Sequence, residues 1–224
     1  MDDRASRTRA FALAGALEPI WLLGSAAVFG SFRAGYEATH AISELGEQGA
    51  AGAVIWNVAG FGIGALLHVL FAVAIRAAIG DGWLFRVVTL HAIFLAGGGA
   101  FGCDPGCPPV MSSWQGWAHV FVGLAYFGLT CIAPLVAWPA FRRRPEWRGL
   151  APASLAAGLI LVALFFAGPV LFPPAAVGIW QRITLATAGA WTTVVAIRLW
   201  RIRAARDGLE ARQATPPLPA VTRQ

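Results

Sequence analysis

Six apolar runs of about 20 residues each, divided by short polar or arginine-rich turns, leave this chain few ways to fold. They cover approximately residues 10–30, 53–75, 83–101, 114–138, 150–171 and 177–200. At 1.5 Å per residue, about 20 helical residues cross a ~30 Å hydrocarbon core. Lipid cannot satisfy a bare backbone N–H or C=O, so each run reads as a helix. The expected fold is all-α: a polytopic integral membrane protein built as a six-helix bundle. Composition agrees, since only 12% of the 224 residues are charged, against about 25% in a soluble domain. The mean hydropathy is +0.65.

The first run follows a basic start, as a signal peptide does. It is longer than the 7–15 apolar residues of a signal h-region and contains Glu18, so it reads as an uncleaved first span. Residues 1–9 form a polar N-terminal segment, and 10–200 form the membrane domain. Residues 201–224 read as a tail that is disordered after one or two helical turns. Pro134 and Pro139 are expected to kink or end the fourth span. No period of 20–50 residues marks a repeat.

All basic charge is arginine, because the chain has no lysine. Every arginine except Arg33 and Arg182 falls in the N-terminus, turns 2–3 and 4–5, the tail, or the adjoining span ends. The positive-inside rule then puts both termini in the cytoplasm and loops 1–2, 3–4 and 5–6 outside. Arginine without lysine, amid abundant alanine and glycine, fits a GC-rich bacterial genome. The expected location is therefore a bacterial inner membrane. The net charge of +6 flanks apolar runs, with no soluble basic domain beside it, which excludes nucleic acid and leaves membrane lipids as the partner. Trp83, Trp114, Trp117, Trp138, Trp180 and Trp200 sit near span ends, where an aromatic belt belongs.

Polar residues inside the spans share helical stripes with small residues and should face the bundle interior. Measured from the flanking arginines, Glu18, His68 and His91 lie roughly 8–13 Å into the membrane from one face. They form a candidate inner cluster, either a proton relay or ion site, or a hydrogen-bonded network that holds three helices together. In span four, His119, Gly123, Tyr126 and Thr130 share a stripe.

A second, outer set is Tyr36, His40, Ser43, Glu44, Asn57, Asp104, His119, Gln181 and Arg182. If these converge, they make an outward-facing polar site. His, Asp and Glu are zinc ligands, and Ser43 beside a histidine is a nucleophile–base pair. Against this, Ser43 can cap a short helix, Asp104-Pro105-Gly106 is an ordinary turn, and Arg182 can anchor to headgroups. No pair has the spacing H-x-x-x-H, so no metal is assigned. There is no phosphate loop, G-x-S-x-G or H-E-x-x-H, and no cofactor is assigned.

Cys103 and Cys107 flank Asp104 in the outer loop. An oxidising compartment favours a structural disulfide. The alternatives are free or metal-bound thiols, or a redox pair whose spacing is one residue longer than C-x-x-C.

With Pro19 in span one, Tyr36, the run Ile42-Ser43-Glu44-Leu45-Gly46, Asn57, Phe101 with Asp104-Pro105-Gly106, His119, and Gly178 with Gln181-Arg182, residues 10–200 resemble a known family. It is the prokaryotic six-helix membrane family catalogued as domain of unknown function 998. The resemblance implies the fold and no activity. The cysteine pair and Glu18, His68 and His91 are not part of it. Three functions follow as expectations: an outward pocket that binds or acts on a lipid or isoprenoid headgroup or other small amphiphilic ligand; a small-solute or proton-coupled transporter using Glu18, His68 and His91; or a structural or lipid-sensing module.

Overall fold

The computed structural model describes residues 3–214. Among them, six helices are long and apolar enough to cross a membrane. They are α1 (Asp3–Phe32), α2 (Ala53–Ile79), α3 (Gly82–Ala100), α4 (Trp114–Arg142), α5 (Ala151–Leu171) and α6 (Val177–Ala214). Each packs on its neighbours in sequence, and α6 returns to α1, closing a ring. All six are short-range helix–helix packings except that last closure. Small residues permit close approach: Gly15 faces the Phe71 ring, and Gly189 faces Pro19.

Local chemistry sets the helix ends. Gly80, at φ +70°, ends α2 in a left-handed cap that only glycine adopts without strain. Asp81 then caps α3 by accepting from Leu84 N at 2.9 Å. Ser113 caps α4 by accepting from Gly116 N at 2.9 Å. Within α2, residues Asn57–Gly62 form a π-helical turn. Trp21 Nε1 donates at 2.7 Å to the carbonyl of Ala59 in that turn.

Two boundaries differ from expectation. α4 runs through Pro134 and Pro139 to Arg142, because membrane helices tolerate proline where packing re-satisfies the backbone. α6 continues to Ala214, further than the one or two turns expected of the tail. Tertiary partners hold this extension. Arg203 donates to the Ala77 carbonyl, Arg206 pairs with Glu146 at 2.9 Å, and Asp207 pairs with Arg9 at 3.1 Å. The rest of the expected tail lies outside the described residues.

The core has two apolar parts. One, at the arginine-rich end, centres on Phe71, Ile75, Leu84, Phe141, Trp147 and Leu199. The other, at the end carrying the cysteine loop, centres on Leu22, Ile42, Trp56, Phe61, Leu95 and Tyr126. Glu18, His68, His91 and Thr130 fall between them along their helices, as a buried polar layer.

Candidate functional site

At the cysteine end, the segment between α1 and α2 folds back over the bundle. Arg182, in the second turn of α6, fastens it. Its Nη1 donates to the carbonyls of Ala38 (2.8 Å), His40 (2.9 Å) and Gly178 (3.0 Å), and its Nη2 donates to the Tyr36 hydroxyl (2.9 Å). That hydroxyl donates onward to Ala41 O at 3.1 Å. Burial raises the Tyr36 pKa above the ordinary phenol value, with the Arg182 hydrogen bond acting in opposition.

Other members of the outer set are engaged in the same way. Gln181 Oε1 accepts from Ile42 N at 2.7 Å. Glu44 accepts from Ala41 N at 2.9 Å and meets His40 Nδ1 at 3.1 Å. Asn57 Nδ2 donates to Gly46 O at 3.2 Å. Arg33 donates to the Glu44 carbonyl and to the Glu47 carboxylate, which also accepts from Gly106 N. Loop backbone outside regular structure needs partners, and these side chains supply them.

Asp104 sits inside its turn, 4% exposed. Its carboxylate accepts from the hydroxyls and backbone N–H groups of Ser112 and Ser113, and from Gln48 Nε2 at 3.1 Å. The Ser113 hydroxyl, followed by the backbone N–H groups of Ser112 and Ser113 and the Ser112 hydroxyl, holds its pKa far below the usual carboxylate range, against the opposing effect of desolvation. The sulfurs of Cys103 and Cys107 lie at disulfide distance, with Cα atoms 5.2 Å apart. The acid is thus the hub of the turn and lines neither of the two large cavities at this end.

A depressed folded pKa means that Asp104 stabilises the fold above its unfolded value of about 3.9 and loses that contribution as pH falls through that value toward the folded one. The apparent melting temperature should therefore decline on acidification below about pH 5. Asp104→Asn should melt lower at neutral pH and show a shallower decline, as checked by melting curves of both proteins across that range.

Ser43, His119 and Gln181 do share a cavity. It is a chamber of about 270 Å³ between α3, α4 and α6, walled by Phe61, Phe94, Phe127, Trp180 and Leu185 among others. Ser43 Oγ lies 3.5 Å from Cys107 Sγ, and no histidine hydrogen-bonds to it among the described residues. His119 Nδ1 donates to Phe101 O at 2.6 Å, which fixes its tautomer. Trp180, expected in the aromatic belt, instead walls the chamber and donates to Leu164 O at 2.8 Å.

Cys107, Pro108, Pro109, Val177 and Trp180 also border a second hollow of about 650 Å³ that includes His40 and Glu44. The outer set therefore divides among a loop clasp, a capped turn, the chamber wall and this mouth. Among the described residues, no three of His, Cys, Asp and Glu come close enough to share an ion.

The inner residues meet. Glu18, His68, His91 and Thr130 are between 3% and 7% exposed. His68 Nδ1 lies 3.8 Å from Glu18 Oε2. His68 Nε2 and His91 Nδ1 are 2.9 Å apart, and His91 Nε2 and Thr130 Oγ1 are 2.8 Å apart. The Tyr126 ring stacks on His91 with centroids 4.3 Å apart. A cavity of about 20 Å³ touches Glu18, His68 and His91. Leu22, Tyr126 and Leu185 wall both it and the chamber.

Sequence reasoning missed Arg33, Glu47, Gln48, Ser112 and Ser113 as structural partners, and Thr130 as a member of the inner layer. A serine pair just before an apolar run is a helix-cap signal that marks Ser112 and Ser113. Nothing local marks Glu47 or Gln48.

A family model described as a protein of unknown function, DUF998, matches residues 13–198, most of the chain, and the chain belongs to that family. No curated protein and no solved structure matches it.

Proposed function

We propose that this DUF998 member binds a small amphiphile of lipid or isoprenoid type. The apolar part lies in the chamber between α3, α4 and α6, and the polar end lies at the mouth beside His40 and Glu44. The chamber is the observation that carries this reading. Its wall is aromatic and aliphatic with a few polar groups, as in small-molecule sites generally. Leu124, 58% exposed on the bundle surface, also lines it, which favours entry from lipid. The arginine bias favours a bacterial inner membrane, with both termini cytoplasmic and the mouth outside.

Gly123 tests this. A Cβ built there meets nothing within 4 Å and grows from the chamber wall. Gly128, on the same helix, is equally unobstructed but lies away from the chamber. Native mass spectrometry after gentle detergent extraction should show lipid retained by the wild type and by Gly128→Phe, and lost from Gly123→Phe. Equal retention by all three would exclude the chamber as the site.

A second reading is proton-coupled transport of a small solute using Glu18, His68 and His91. One observation favours it: the chamber and the inner cavity share the walls Leu22, Tyr126 and Leu185.

A further inference from the structure

We infer that Glu18 and His68 hold one dissociable proton between them, and that it enters and leaves only from the chamber side. The direction of each hydrogen bond in the inner layer settles every ring nitrogen but one. Tyr126 O can only accept, and Thr130 Oγ1 donates to it at 2.9 Å. The Thr130 hydroxyl then accepts from His91, so His91 carries its proton on Nε2. His91 Nδ1 is therefore bare and accepts from His68 Nε2–H. His68 Nδ1 is the one nitrogen left undetermined, and it faces Glu18.

One proton there makes either a carboxylic acid beside a neutral imidazole or a carboxylate beside an imidazolium. Both are neutral overall. With no proton the layer buries a bare anion, and with two it buries a bare cation, each expensive at membrane depth. Among the described residues that line the inner cavity, no other charge is at hand to compensate. The groups lining the inner cavity are Glu18 from α1, His68 from α2, His91 from α3, Tyr126 from α4 and, from α6, only the uncharged Thr192 among polar side chains.

The geometry also gives the route. Beyond His91, the chain ends at a hydroxyl bound to a backbone carbonyl, which can pass no proton on. Toward the arginine end lies the close-packed core around Phe71 and Ile75. On the remaining side the inner cavity, with room for about one water, abuts the chamber wall. The route rests on the second reading above, whereas the proton count does not.

Four histidines in the chain make the count measurable. The experiment is nitrogen-15 histidine and carbon-13 glutamate NMR of the full chain in lipid nanodiscs, with Glu18→Gln used for assignment. Near neutral pH, Glu18 and His68 Nδ1 should share one proton besides the one fixed on His68 Nε2, and His91 should be the Nε2–H tautomer. A carboxylate beside a neutral His68, a carboxylic acid beside an imidazolium, or an Nδ1–H His91 would overturn the inference.

For the route, Leu185→Ala thins the shared wall, and Ile75→Ala loosens packing on the arginine side. Deuterium exchange at the Glu18–His68 proton should quicken several-fold in Leu185→Ala alone. Equal rates in the two variants, or quickening in Ile75→Ala alone, would overturn the route. Neither measurement reads out occupancy of the chamber, so failure here is separate from failure of chamber binding in Gly123→Phe.

Discussion

Replacing Gly178 with alanine should detach the segment between α1 and α2 from the bundle and destabilise the protein by about 3 kcal/mol or more. The added methyl would overlap the His40 carbonyl oxygen and come within 2.7 Å of that of Ala38. Both atoms are backbone, and both are held by Arg182 at hydrogen-bond distance. Neither can turn aside as a side chain can. Gly178 N also donates to Thr39 O at 2.9 Å, a bond that any retreat of the loop would break. The cost thus adds steric overlap to the loss of charge-assisted hydrogen bonds, each worth about 1.5–3 kcal/mol. Arg182→Lys should weaken the same clasp without overlap, since a lysine has no planar fork to reach three carbonyls and a hydroxyl together. Melting curves and limited proteolysis of the 33–52 segment measure both. Cleavage of that segment should appear in Gly178→Ala before global unfolding, and wild-type protease resistance in that variant would refute the clasp.

What the sequence made legible follows the strength of each signal. Six spans were legible because about 20 apolar residues outweigh any local conflict, including Glu18-Pro19 within the first. Helical periodicity turned Glu18, His68 and His91 inward, and arginine spacing placed them at similar depth. The same periodicity put His119 and Thr130 on one stripe of α4, yet the structure gives them different work. Thr130 completes the inner chain, three turns from His119, which binds the Phe101 carbonyl at the helix start. A stripe fixes direction, not depth of partnership.

The outer set was legible as polar and illegible as a site. Arg182 and Gln181 are bound to backbone atoms of residues 38–42, 139 to 144 residues away in sequence. No spacing rule reports a carbonyl as a partner. The extension of α6 was hidden for the same reason. Its arginines and Asp207 look like a solvated tail until Ala77, Glu146 and Arg9 are brought beside them.

His91→Ala should cost about 3 kcal/mol, and most of that should come from lost packing, not lost hydrogen bonds. Side-chain hydrogen bonds between membrane helices average about 0.6 kcal/mol, so the two that His91 makes account for about 1 kcal/mol. The remainder is the cavity left where the ring stood between Tyr126 and His68, whose centroids lie 4.3 and 4.5 Å from its own. His91→Phe separates the two contributions. It restores a ring for Tyr126 to stack on but leaves His68 Nε2–H without its acceptor, and should cost about 1–2 kcal/mol. The phenylalanine variant also frees His68 from the fixed tautomer, so its ring proton can leave Nε2 for Nδ1, while the cost of a buried net charge still holds the pair neutral. A layer that serves only as glue would show a graded loss of stability in both variants and an unchanged His68 tautomer. The hydrogen-bond chain instead requires the His68 tautomer to change in His91→Phe while the pair stays neutral and most of the stability remains.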